Sequence, residues 1–193
     1  MARIALFHSV LGVAPGILDA AERLRAAGHE VRVVDQYGGR VFDDLAEAGR
    51  FAEGIGYPAL MHAAVDAVAD LPDGFLCIGF SNGGGMSEHV AQRRAVGGVV
   101  LCSGALPLPM LGAEAWPAGV PAQLHYTVGD PFRQPGWAEE VVAAVRRAGG
   151  EAELFEYPGD GHLFTDASRP DEYDAESAAL LWSRVLAFCA EHG

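Results

Sequence analysis

Basic side chains are scarce: Lys and Arg together number 13 against 26 Asp and Glu, a formal net charge of −13 at pH 7. Such a field repels phosphate backbones and anionic lipid, so neither a nucleic-acid partner nor a membrane surface is expected. Cysteine is limited to Cys77, Cys102 and Cys189, an odd number with no C-x-x-C spacing. Reduced, buried thiols in a cytoplasmic protein follow, rather than a disulfide framework. No histidine pair has metal-ligand spacing, so no metal and no cofactor are expected. G-x-G-x-x-G is absent after the first apolar run, and G-x-x-x-x-G-K-[ST] is absent throughout. A nucleotide-binding domain, which Arg3–Phe7 followed by Val31–Val34 and Asp35 imitates, therefore lacks its phosphate loop. The N-terminus shows neither a secretory h-region nor an A-x-A cleavage site. Val96 to Ala113 is free of charge, but Gly97, Gly98, Gly104, Pro107 and Pro109 would break a spanning helix.

What the chain does have is length and apolar content: 193 residues, 50% of them hydrophobic, enough for one domain over residues 1–193. Apolar runs at Arg3–Phe7, Val31–Val34, Gly74–Gly79, Val99–Cys102, Ala122–Val128 and Ala152–Tyr157 read as six strands. Between them lie helical stretches: Ile17 to Leu24, Phe42–Ala52, Pro58–Ala69, Asn82–Arg94 and Trp137–Ala148, with Ala175–Glu191 closing the chain. Strands without clean alternation, each separated by a helix, predict a doubly wound α/β fold: a mostly parallel sheet with helices on both faces.

Ligands of such sheets bind beyond the carboxyl ends of the strands. The polar residues at those ends are His8, Ser9, Asp35, Ser81, Ser103, Asp130 and His162. Gly79-Phe80-Ser81-Asn82-Gly83 is G-x-S-x-G between an apolar strand and a helix, the setting in which that pattern holds a nucleophilic serine on a sharp turn. A hydroxyl needs a base, and His162 stands in a flexible loop after the last strand. The imidazole needs an acid to fix its tautomer. Asp130, after the fifth strand, is the first candidate; Asp160, Glu156 and Asp166 are its rivals. Backbone N–H groups of Asn82 and of Val10, in the loop after the first strand, are candidate donors to an oxyanion. Leu11, Phe80, Trp116, Arg133 and Phe164 are candidate substrate contacts, with Leu108, Met110 and Phe132 as further apolar wall.

Taken together, the sequence resembles the dienelactone hydrolase family of α/β-hydrolases. The resemblance runs over nearly the whole chain. It rests on Val10-Leu11-Gly12-Val13, Gly79-Phe80-Ser81-Asn82-Gly83-Gly84, Gly129-Asp130-Pro131-Phe132 and Gly161-His162-Leu163-Phe164, with a similar closing helix from Tyr173 to Phe188. It implies a reduced three-layer α/β-hydrolase fold without a large cap, a Ser81-His162-Asp130 triad, and a small-molecule ester or lactone as substrate for a monomer or homodimer. Two departures stand out. Well-known members carry cysteine at the elbow, held by a carboxylate of the first loop; here Ser81 and Ser9 occupy those places. An arginine shortly after the family's histidine is matched by Asp166. A serine-type esterase is the expectation, with a catalytically inactive binding protein of the same fold as the alternative.

Overall fold

A computed structural model describes residues 1–193. Strand β1 (Arg3–Phe7) sends Ile4 and Leu6 to one face of the sheet and Ala5 and Phe7 to the other, all four buried. The same two-sided burial recurs in β3 (Phe75–Phe80) and β4 (Val96–Cys102), which is why these runs show no polar alternation. With β2 (Glu30–Val34), β5 (Ala122–Thr127) and β6 (Ala152–Tyr157), they form one parallel sheet in the order β2-β1-β3-β4-β5-β6.

Helices α1 (Pro15–Ala26) and α6 (Ala175–His192) cover one face, where Ile17, Leu24, Leu181, Trp182 and Phe188 meet Leu6, Ile78 and Val100. Helices α2 (Leu45–Ile55), α3 (Tyr57–Asp66), α4 (Asn82–Ala91) and α5 (Trp137–Arg147) cover the other. Local chemistry sets their starts. Pro15 opens α1, where its missing N–H costs nothing. The Asp44 and Asp174 carboxylates cap α2 and α6, accepting from Glu47 N–H and Ser177 N–H at 2.7 Å each. No helix is long and apolar enough to cross a membrane.

All six expected strands and six expected helices occur, and the differences fall at ends, apart from a 3-10 turn over Leu108–Leu111 between β4 and β5. Strand β4 starts at Val96 rather than Val99, because Gly97 and Gly98 belong to it. They are there for close approach: a Cβ on Gly97 would lie 2.7 Å from Gly74 O and His192 O, and one on Gly98 would lie 2.7 Å from the Phe188 ring. Helix α4 ends at Ala91, not Arg94.

The parallel order brings the loops after β1, β3, β4, β5 and β6 to one edge of the sheet. There α4 begins so close to β1 that a Cβ on Gly83 would sit 2.3 Å from Phe7 O. Gly83→Ala should therefore lower the urea midpoint, with about 2 kcal/mol or more of stability lost to backbone displacement. An unchanged midpoint would mean that the elbow has slack.

Candidate active site

Ser81 has φ 51° and ψ −116°, and only Ser103 shares a positive φ among the non-glycine residues. Such a conformation costs about 1–3 kcal/mol and persists where its surroundings over-determine it. Here they do. Ser81 N–H donates to Cys102 O at 2.7 Å and Gly84 N–H to Ser81 O at 2.8 Å. A Cβ on Gly79 would meet Gly83 O at 2.0 Å, and one on Gly104 would meet Ser81 O at 1.9 Å. The turn thus requires glycine within the elbow and also across it, on the loop after β4.

His162 is carried by a loop tied back to the sheet: Thr127 Oγ1 donates to Gly161 O at 2.9 Å, and Leu163 N–H donates to Glu172 Oε2 at 2.7 Å. Its Nδ1 lies 2.9 Å from both oxygens of Asp130, and its Nε2 lies 2.7 Å from Ser81 Oγ. A carboxylate only accepts, so Nδ1 carries the proton and Nε2 is left to accept from the Ser81 hydroxyl. Asp130 is itself fixed, its Oδ1 accepting from Phe132 N–H at 2.8 Å, and the Phe132 ring packs 4.6 Å from the imidazole. The rival acids are elsewhere. Glu156 binds Arg133, Asp166 accepts from Ser168 N–H and Oγ–H, and Asp160 is exposed.

The loop after β1 is pinned from behind by His8, a residue whose role the sequence pattern does not reveal. His8 Nε2 accepts from Gln36 N–H at 3.2 Å, which leaves Nδ1–H to donate to Ser9 O at 2.6 Å. Burial lowers the His8 pKa and keeps the ring neutral. Ser9 O also accepts from Gly12 N–H at 3.2 Å. In a trans peptide, fixing that carbonyl fixes the N–H on its opposite side, which is Val10 N–H. Val10 N–H has no acceptor within the chain, and Asn82 N–H, at the first position of α4, has none within the helix.

Both residues line a cavity of about 410 Å³ together with Ser81 and His162. Met61, Met86, Leu106 and Met110 form apolar wall, and Phe132 and Trp137 close one side. Tyr57, Met110 and Phe132 are exposed at 41%, 55% and 53%, so the mouth is open. The structure corrects the other expected contacts. Leu11 packs with Ala14, Ala48 and Leu163, and Trp116 is buried with its indole N–H donating to Val120 O. Phe80 packs near Trp182, and Phe164 against Tyr157, both in the core beneath α1 and α6. Arg133 is held by Glu139 and Glu156 at 2.9 and 2.6 Å. None of the five lines the cavity, and neither does Leu108. Aromatic and aliphatic side chains on the right loops were drawn inward to the core instead.

A parallel six-stranded sheet with a serine elbow at its carboxyl edge defines an α/β-hydrolase. The sequence pattern of the dienelactone hydrolase family matches residues 2–193, and the chain belongs to that family. It is similar to the solved structure "m3DLH", with a TM-score of 0.80 and 23% identity over 99% of this chain and 86% of that one. It is also similar to the "Dienelactone Hydrolase-like Promiscuous" phosphotriesterase P91 from metagenomic libraries, with a TM-score of 0.79 and 21% identity over 100% of this chain and 87% of that one. A "Putative carboxymethylenebutenolidase" of Yersinia pestis is 42% identical over 55 residues, spanning 28% of this chain and 20% of the relative.

Behind the Leu106 wall lies Glu88 of α4, fully buried, with Oε2 accepting from Leu106 N–H at 2.8 Å and Oε1 without a partner. Desolvation raises its pKa well above 4.5, against the smaller pull of that hydrogen bond. The folded protein keeps a proton here that the unfolded chain releases, so Glu88 removes stability as pH rises above the ordinary glutamate range. Glu88→Gln should gain stability relative to the unsubstituted protein as pH rises from 4 to 8, because the amide has no proton to lose. Urea midpoints across this range check it; parallel curves for the two proteins would contradict the buried acid.

Proposed function

We propose that the protein is a serine hydrolase of carboxylic esters or lactones. The reading is carried by the unbroken chain from Ser81 Oγ through His162 to Asp130, at 2.7 and 2.9 Å, beside an apolar cavity. Ser81 Oγ attacks the substrate carbonyl carbon while its proton passes to His162 Nε2. The negative charge that gathers on the carbonyl oxygen meets the Val10 and Asn82 N–H groups, whose directions are set before substrate arrives. His162 then protonates the leaving alkoxide, and an acyl group remains on Ser81. Water, deprotonated by the same nitrogen, attacks that acyl carbon and releases the acid. For a lactone, the leaving alkoxide stays attached to the acyl group and the product is a hydroxy acid. The name of the Yersinia relative includes a butenolide, a cyclic ester, and supports lactones beside open-chain esters, while the carboxymethylene group of that name has no counter-charge in this cavity's lining.

Hydrolysis of p-nitrophenyl butyrate should be measurable and should fall at least about 10³-fold in Ser81→Ala. Equal rates in the two proteins would end the nucleophile assignment. A fluorophosphonate should label Ser81, whereas an inactive binding protein of this fold would leave it unlabelled.

The His8 hydrogen bond supplies a separate test. His8→Phe keeps an aromatic ring but loses the donor to Ser9 O, so kcat should drop about 10-fold or more with little change in KM. His8→Asn can return an N–H at the Nδ1 position and should recover part of that loss. If Asn and Phe behave alike, the peptide is held by other contacts.

A further inference from the structure

We infer that the cavity beside Ser81 selects uncharged esters and lactones, and rejects those whose acyl part ends in a carboxylate; the inference rests on the hydrolytic reading and narrows its substrate class. Of the 17 residues lining the cavity, 10 are hydrophobic and none is Arg, Lys, Asp or Glu. The polar members other than His162 are neutral hydroxyl, amide and backbone groups, among them Asn82, Ser103 and Gln134. An anionic tail placed here would leave water without gaining a counter-charge.

Positive charge close to the wall is already committed. Arg133 lies behind Tyr126, its guanidinium 5.2 Å from the ring, and holds Glu139 and Glu156 with only 16% of its side chain exposed. Asp130 behind His162 has the opposite sign, and Glu88 behind Leu106, which keeps its proton, supplies no positive charge either. The chain as a whole carries a formal −13, so the approach of an anion is opposed at long range as well. A carboxylate in the acyl chain would also oppose the negative charge that develops on the attacked carbonyl. An alkyl chain of the same length meets none of these penalties and gains contact with Met61, Met86 and Leu106.

Three p-nitrophenyl esters of matched length isolate the charge: the hexanoate, the monoester of adipic acid, and the adipate monoester with its free acid methylated. Rates are corrected for enzyme-free hydrolysis and for the Ser81→Ala background. The anionic adipate should show kcat/KM about 100-fold or more below the hexanoate, and methylation should restore most of the loss. Gln134→Arg should narrow the gap between the anionic and neutral esters by about 10-fold. Anionic and neutral esters turned over within about 3-fold of each other would overturn the inference while leaving Ser81 as nucleophile. A gap that Gln134→Arg does not move would overturn its electrostatic basis. Failure to hydrolyse any of the three above the Ser81→Ala background would overturn the hydrolytic reading, and the inference with it.

Discussion

The contact on which the rest depends is backbone against backbone: the Ser81 carbonyl pressed on Gly104, and the Ser81 N–H bound to Cys102 O. It joins the ends of β3 and β4 so tightly that the serine has one available conformation, an unfavourable one for an L-residue. The cost is met by burial on both faces of a sheet whose central strands are almost wholly enclosed. The hydroxyl then faces a loop from β6 and an acid from β5, three segments distant in sequence that parallel pairing brings to one edge. A strained turn of this kind cannot be supplied by its own residues alone. It is a property of the neighbouring strand as much as of the G-x-S-x-G pattern.

That division explains what the sequence made legible. The elbow, the strand-end acid and the loop histidine each sit beside a glycine that marks a change of direction, so their places follow from local signals at Gly79, Gly129 and Gly161. Strand and helix order follows from hydrophobic period, because both faces of the sheet are covered. Side-chain direction does not follow. Phe80 and Phe164 stand next to Ser81 and close to His162 in the chain, yet both turn into the core under α6. Leu108 and Met110 are two residues apart in one 3-10 turn, and only the second lines the cavity. Tyr57, Met61 and Trp137 do line it, but they come from α3 and α5, elements that carry no motif. His8 was visible as a polar residue after a strand; its use required knowing that Gln36 N–H occupies its other nitrogen.

Three polar side chains, His8 and Glu88 buried and Glu172 half-buried, brace backbone in this fold. The His8 ring orients one peptide, Glu88 holds the N–H of Leu106, and Glu172 holds the N–H of Leu163 next to His162. Each removes a torsional freedom from a loop at the working edge, where no helix or ladder could do so. Glu172 is in turn held by Arg169; against partial desolvation, the Leu163 N–H and then the Arg169 guanidinium keep its carboxyl below the usual glutamate range. Three loops are thus stiffened by side chains other than Ser81, His162 and Asp130.

The mouth framed by Tyr57, Met110 and Phe132 is exposed to solvent. Whatever part of a bound molecule exceeds the depth of the cavity runs out into bulk solvent, where added length brings neither contact nor collision. If the cavity takes an ester as proposed, its walls alone grip the acyl chain, and the exposed mouth gives the product a direct way out.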